Sequence, residues 1–309
     1  MFLTQPLEII RYRAWFETRG HWHLLDYPGS TWRGAFGHAL RRTACTQSHT
    51  ECGTCPGSQD CPYPGFFDAA SRPEPPRPYI LEPHAYTGFF STGTSIGLDF
   101  VLLGWANGWL QLIIDALTDL GQQGLGFRQS IRLHLTEIQQ EIGPTGGAWA
   151  TIYAHGSGQA LPLPASLLVP PPPPSQARLE VLTPLKIKFR GLRVEPDNLT
   201  GRDVLIALAR RFEACVQLLP TLPMPPTPEE WLSDADNLIQ FRKLGTQETH
   251  HYSSRQREDL KLGGLIGHLI LSGPTLKKAW PWLWLGQWLH LGSSTTSGLG
   301  RYLLQPLSP

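Results

Sequence analysis

The stretch LPLPASLLVPPPPPSQ, residues 161–176, ends in five consecutive prolines. A proline ring fixes φ and removes a backbone donor, so such a run continues neither a helix nor a central strand and favours an extended spacer. It divides the chain into residues 1–160 and 177–309, two halves of ordinary domain size joined by a linker at 161–176. A second proline-rich run, Pro220 to Pro228, reads as a loop inside the second half.

After the linker, residues 177–191 alternate like a strand and residues 201–219 carry apolar residues at helical spacing. There follow a strand expected around 238–252, an apolar strand at 263–273, a helix at 275–289, a glycine-rich turn and a last strand at 301–307. That order is β-α-β-β-α-β. The first half repeats it with a strand at 7–17, a helix at 31–45 with Ser30 as N-cap, a cysteine-rich insertion at 45–61, a strand at 95–104, a helix at 108–121 and a strand at 131–139. GLGFR (124–128) precedes the last strand of the first half as GLGR (298–301) precedes that of the second. The expected fold is α+β, two tandem ferredoxin-like (RRM-like, βαββαβ) domains with a C-terminal glycine-rich loop.

Hydrophobic residues make up 41% and charged residues 17% of the chain, as in a soluble globular protein. No stretch reaches the roughly 18 uncharged apolar residues of a membrane span, and the first residues lack a basic-then-apolar export signal, so a cytoplasmic protein without membrane partners is expected. The net charge of +1 hides an uneven distribution: residues 1–44 hold six Arg against three acids, and residues 237–309 hold eight Lys or Arg against three acids. Arg outnumbers Lys 20 to 6, and Arg suits bidentate phosphate contacts and stacking on bases.

Cys45, Cys52, Cys55 and Cys61 lie within 17 residues, with one close Cys-x-x-Cys pair. Without an export signal such density points to metal before disulfides. Structural zinc leads, with an iron–sulfur cluster or reduced or disulfide-bonded cysteines as alternatives. Cys215, on an apolar helix, reads as core.

Near the C-terminus GSSTTSGLGR, residues 292–301, separates a Trp-rich run from a short apolar run. Glycine-rich turns beside a cation let backbone N–H groups approach an anion closely; a flexible hairpin is the plainer alternative. On the first helix, the 100° spacing puts Trp32, Phe36, Ala39 and Leu40 on an apolar face. Gly34, Gly37, His38, Arg41 and Cys45 fall opposite, a surface a nucleic-acid backbone could approach. Residues 250–264 mix His250, His251, Tyr252, Arg255, Arg257 and Lys261 with hydroxyls, which suits RNA loops or a solvated connection. The Trp run at 279–292 reads as the apolar face of a core helix.

YPGSTWRGAFGHALRRTAC with CGTC and CPYPGFF in the first half, and LTPLKIKFRG, YSSRQREDLKLGGLIGHLILSG and WLHLGSSTTSGLGRYLL in the second, together resemble the CRISPR-associated repeat-RNA processing endoribonucleases of the RAMP superfamily. The resemblance implies a precursor CRISPR RNA hairpin as substrate. It also implies metal-independent cleavage through the ribose 2′-hydroxyl, leaving a 5′-hydroxyl and a 2′,3′-cyclic phosphate, with no catalytic cofactor and with other subunits of a CRISPR ribonucleoprotein as partners. His38 is then the first candidate for proton transfer, with His21, His23, His250 and His251 in reserve. Tyr27, Arg33, Arg41 and Arg42 are candidate helpers. The lysine that assists the histidine in several relatives is absent, since no lysine precedes Lys186. Guanidinium can supply charge but not a general base. Arg242, Arg255, Arg257, Lys261, Gly292, Ser293, Gly298, Gly300 and Arg301 are the candidate RNA-binding residues. Two competing functions remain: a non-catalytic RAMP subunit holding RNA in an effector complex, and a zinc hydrolase. The hydrolase is disfavoured because four thiolates leave no open coordination position for water.

Overall fold

The computed structural model describes residues 5–24, 27–47, 50–67, 76–84, 87–126, 130–143, 147–253 and 258–307, and of 228–229, 249–253 and 258–262 the backbone alone. The chain forms two compact units: residues 6–167 with 217–219, and residues 168–216 with 220–309 and the first five.

The first unit contains β1 (Ile9–Thr18), β2 (Trp22–Leu24), α1 (Gly29–Ala44), α2 (Tyr63–Phe67), β3 (Tyr79–Pro83), β4 (Gly88–Phe90), β5 (Ser95–Leu103), α3 (Leu110–Gln123), β6 (Leu133–Ile142) and β7 (Ala148–Ala154). Five strands form an antiparallel sheet in the order β3-β5-β1-β6-β7, while β2 and β4 pair separately. Alternation along β1 sends Tyr12, Ala14 and Phe16 into a core shared with Trp32, Phe36 and Leu40 of α1 and Ile113, Leu117 and Leu120 of α3. Each such side chain contributes roughly 1.5–3 kcal/mol by leaving water. The opposite face of β1 carries charge: Arg11 reaches Glu82 at 3.2 Å, and Arg13 grips Asp99 through Nε and Nη2 at 2.7 and 3.0 Å.

The second unit contains β8 (Gln176–Leu185), β9 (Lys188–Phe189), β10 (Leu192–Arg193), α4 (Gly201–Cys215), α5 (Pro228–Leu232), β11 (Ile239–Ser253), β12 (Glu258–Ser272), α6 (Gly273–Leu289) and β13 (Tyr302–Leu307). Its antiparallel sheet runs β11-β12-β8-β13. A capping box starts α4, with the Thr200 hydroxyl accepting from Asp203 N and the Asp203 carboxylate accepting from Thr200 N. The Trp-rich helix α6 buries Trp280, Trp284 and Trp288, together with Leu283 and Leu289. Gly286 of α6 is required because the Tyr302 hydroxyl occupies the place a Cβ would take.

Several expectations are corrected. Helix α1 starts one residue before Ser30 and its N-cap is Pro28, so Ser30 makes no cap. The second strand of the first sheet is β3, a short, wholly buried segment beyond the cysteine loop, and β7 adds a fifth strand. The polar stretch at 250–264 continues the hairpin β11–β12 as paired backbone, with Ser253 opposite Glu258. Beyond Leu265 toward that tip, β12 has no register with β8 among the described residues, so a two-stranded ribbon extends past the sheet. The proline-rich segment 161–174 carries no regular secondary structure, yet it is tied down. Gln140 bonds Leu163 N and O, and Trp280 Nε1 donates to Pro171 O at 2.7 Å.

Candidate functional site

Helix α1 presents its polar face as Gly34, His38 and Arg42 in i, i+4 succession, with Arg41 alongside. A Cβ added at Gly34 would meet nothing within 4 Å, and His38 is exposed, so this part of the helix is open to a ligand. Gly37 is different. The Phe67 ring of α2 lies where its Cβ would stand, so Gly37 serves the docking of α2 and not the approach of a backbone. Arg33 covers the same ring, its guanidinium 5.5 Å from the Phe67 centroid. Arg42 bonds Asp119 of α3 at 2.9 and 2.5 Å, and Arg41 Nη2 reaches Thr50 O at 3.4 Å. Of the candidate helpers, Arg33 and Arg42 are thus occupied in holding α2 and α3, and Tyr27 is buried ahead of the helix. His21 stacks on Phe89 with centroids 5.7 Å apart, and His23 is exposed on β2. His250 and His251 lie on the β11–β12 ribbon, opposite Lys261 and Leu260.

Cys52 and Cys55 flank a single turn in which Cys55 N donates to Cys52 O at 3.3 Å, the local shape of a knuckle. None of the four loop cysteines is in a disulfide bond, and all are partly buried. Among the described residues no group of three or more His, Cys, Asp or Glu converges closely enough to share a metal ion, so the thiols as placed do not form a closed tetrahedral site.

The glycine-rich turn of the second unit is a fixed structure and not a flexible hairpin. Gly292, Ser294, Gly298 and Gly300 all take positive φ. Thr183 Oγ1 donates to Gly298 O at 2.7 Å and accepts from Arg301 N at 2.8 Å; Gly300 N donates to Pro184 O and Ser293 N to Lys186 O, each at 3.1 Å. A Cβ at Gly300 would collide with Leu291 O, and one at Gly292 with Lys186 O. The chain's own close crossings demand these glycines. Ser293 is exposed and Arg301 partly so, at the rim of the turn.

Arg242 donates to Asp197 O at 2.6 Å from an exposed position. Lys261 lies on the β11–β12 ribbon opposite His250, and Arg255 and Arg257 fall outside the described residues. The sequence reading passed over the hairpin β9–β10. Its signal was present: four cations and no acid between Lys186 and Val194, with an Arg-Gly pair at the turn.

An exposed histidine on a basic helix and a glycine turn locked beside a basic strand end, set on two helix-backed antiparallel sheets, are the parts of an RNA-handling α+β protein. Comparison with known families agrees with that class: an N-terminal-domain family (AF_1859_N) matches residues 7–165, and the family described as CRISPR-associated endoribonuclease Cas6 matches residues 179–302. By the match over half its length the chain belongs to the AF_1859_N family, and its second half is similar to the Cas6 endoribonucleases. No curated protein matches it in sequence. Among solved structures, Thermus thermophilus Cas6 (TTHB231) is 15% identical, with 98% of this chain and 100% of that one covered at a TM-score of 0.54. A Cas6 (TTHA0078) product complex is 19% identical over 96% and 99% of the two chains at 0.52. A partial Cas6-RT-Cas1–Cas2 complex is 14% identical, covering 99% of this chain and 47% of that one at 0.57. At these identities the likeness is one of fold.

Proposed function

We propose that this chain matures CRISPR RNA by cutting the precursor within its repeat hairpins through attack of a ribose 2′-hydroxyl, without a catalytic metal. In that reaction the 2′-oxygen bonds to phosphorus, the bond to the 5′-oxygen breaks, and the products carry a 2′,3′-cyclic phosphate and a 5′-hydroxyl. The step needs in-line positioning, a base for the 2′ proton, a donor to the leaving oxygen and positive charge near the phosphorane. His38 is the proton-transfer group, because an imidazole is poised near neutral pH and this one stands exposed beside the open surface of Gly34. Arg41 supplies charge. That exposed histidine next to a side-chain-free helix turn is the observation that carries the reading.

Each sheet places its own first four strands in the spatial order second, third, first, fourth, which supports reading the units as tandem ferredoxin-like domains with a linker at 161–176. Likeness to Cas6 in an assembly with other CRISPR proteins supports partners of that kind, and likeness to a Cas6 product complex supports retention on the product. Zinc in the Cys45–Cys61 loop is a separate proposal resting on spacing alone.

Incubation with repeat RNA in EDTA, followed by analysis of the product ends, tests the reading. Cyclic-phosphate and 5′-hydroxyl ends are expected. Tight binding with no cleavage would instead make the chain an RNA-holding subunit, and strict dependence on an added metal would overturn the mechanism.

A further inference from the structure

The hairpin β9–β10 is built against its own stability. Its strands have two residues each, too short to hold a ribbon by themselves. Lys188 and Arg193 stand directly opposite one another, where like charges destabilise. Phe189 and Leu192 are the other opposed pair, and they are 51% and 76% exposed. At the turn Arg190 takes φ 50° before Gly191 at 85°, a left-handed position where Asn or Gly would be at ease and an ordinary side chain costs roughly 1–2 kcal/mol. The Arg190 guanidinium lies 5.2 Å from the Phe189 centroid.

The base of the hairpin, in contrast, is anchored. Ile187 and Val194 are buried and joined by Val194 N to Ile187 O at 3.1 Å. Lys186 O accepts from Ser293 N at the same distance, fixing the hairpin to the glycine turn. A rigid base carrying a strained, self-repelling, aromatic tip is what remains when a surface is shaped for an anionic ligand.

We propose that Lys186, Lys188, Arg190 and Arg193 clamp the sugar–phosphate backbone of an unpaired RNA segment, with one base stacked on Phe189. The inference rests on the reading of the chain as an RNA-processing protein and adds a binding element to it. RNA phosphates would relieve the repulsion between Lys188 and Arg193, whose guanidinium lies against Gly263 of β12, and an aromatic ring accepts any base. The same crowding shows in Lys186, whose ammonium is held below the ordinary lysine range by burial and then by Arg193 and Lys188. An exposed aromatic flanked by cations favours a single strand over a duplex, whose bases are already stacked.

The test compares the full chain with the triple variant Lys188→Ala, Arg190→Ala, Arg193→Ala, with Phe189→Ala, and with Arg190→Asn. Binding is measured on repeat RNA and on an unrelated single strand of equal length across a salt series, with melting temperatures for each protein. The triple variant is expected to flatten the slope of log affinity against log salt by about 2, at about 0.7 for each lost single-strand phosphate contact, equally for both RNAs. Phe189→Ala is expected to weaken both about 5-fold to 100-fold. Arg190→Asn separates ligand from scaffold: it relieves the turn, so its melting temperature is expected to hold or rise while RNA binding weakens. Unchanged slopes in folded variants, or a loss confined to repeat RNA, would overturn the clamp alone. Failure of the unaltered chain to bind or cut repeat RNA would overturn the functional reading and the clamp with it.

Discussion

Asp99 sits on β5 between two hydrogen-bond partners from distant parts of the sequence, Arg13 of β1 and His84 just beyond β3. Burial alone would raise its carboxyl, but hydrogen bonds from His84 and Arg13 outweigh burial and hold it below the ordinary carboxylate range. A depressed acid contributes stability that is present above its unfolded value near pH 4 and is lost as pH falls through the folded value. Asp99→Asn is therefore expected to destabilise the first unit by about 1–3 kcal/mol at pH 7, since it takes the charge from the carboxylate that the partly buried Arg13 guanidinium grips, and urea unfolding should show that gap closing below about pH 4. His38→Ala belongs to a different kind of residue. It touches no core, so single-turnover cleavage should slow about 10²-fold to 10⁴-fold while RNA affinity stays near that of the unaltered chain; cleavage at the normal rate would move the proton step to another histidine. His38 was legible in the sequence because helical spacing alone puts it on the polar face. The Asp99 triad was not, because no local pattern joins residues 13, 84 and 99.

At the scale of elements, periodicity revealed what buries one face. The alternation of β1 and the Ile113, Leu117, Leu120 stripe of α3 are read directly from the sequence, and both pack where that reading puts them. It missed β3, whose five residues are all buried and so do not alternate, and it stopped β12 short because a charged ribbon has no apolar rhythm. The glycine turn shows a subtler limit. Its composition announced close approach, but the partner in that approach is the chain itself. Gly300→Ala, with φ 73° and Leu291 O in the way, is expected to destabilise by about 2 kcal/mol or more, read as a fall in melting temperature without any RNA present. Gly298→Val is expected to do likewise, so weakened RNA binding in either variant follows from a misshapen turn. Arg301→Ala keeps the turn's backbone bonds and should instead flatten the salt dependence of binding.

For the molecule as a whole, net positive charge is concentrated toward the ends of a nearly neutral chain, and among the described residues no helix is long and apolar enough to cross a membrane. Cleavage is expected to survive chelator, since the proposed proton and charge groups are side chains. The cysteine loop gives a separate readout: if it holds zinc, protein purified without chelator carries the metal, and Cys52→Ser lowers melting temperature more than it lowers the activity of folded protein. The molecule also carries a hazard in its longest ribbon. Past Leu265 toward the tip, β12 has no paired strand other than β11 among the described residues, and β11 forms the sheet's outer border. Two strands without outer neighbours offer their free N–H and C=O groups to any extended chain. Charge on such an edge discourages pairing between copies by repulsion, so colloidal stability in storage should depend on salt more than on anything in the two cores.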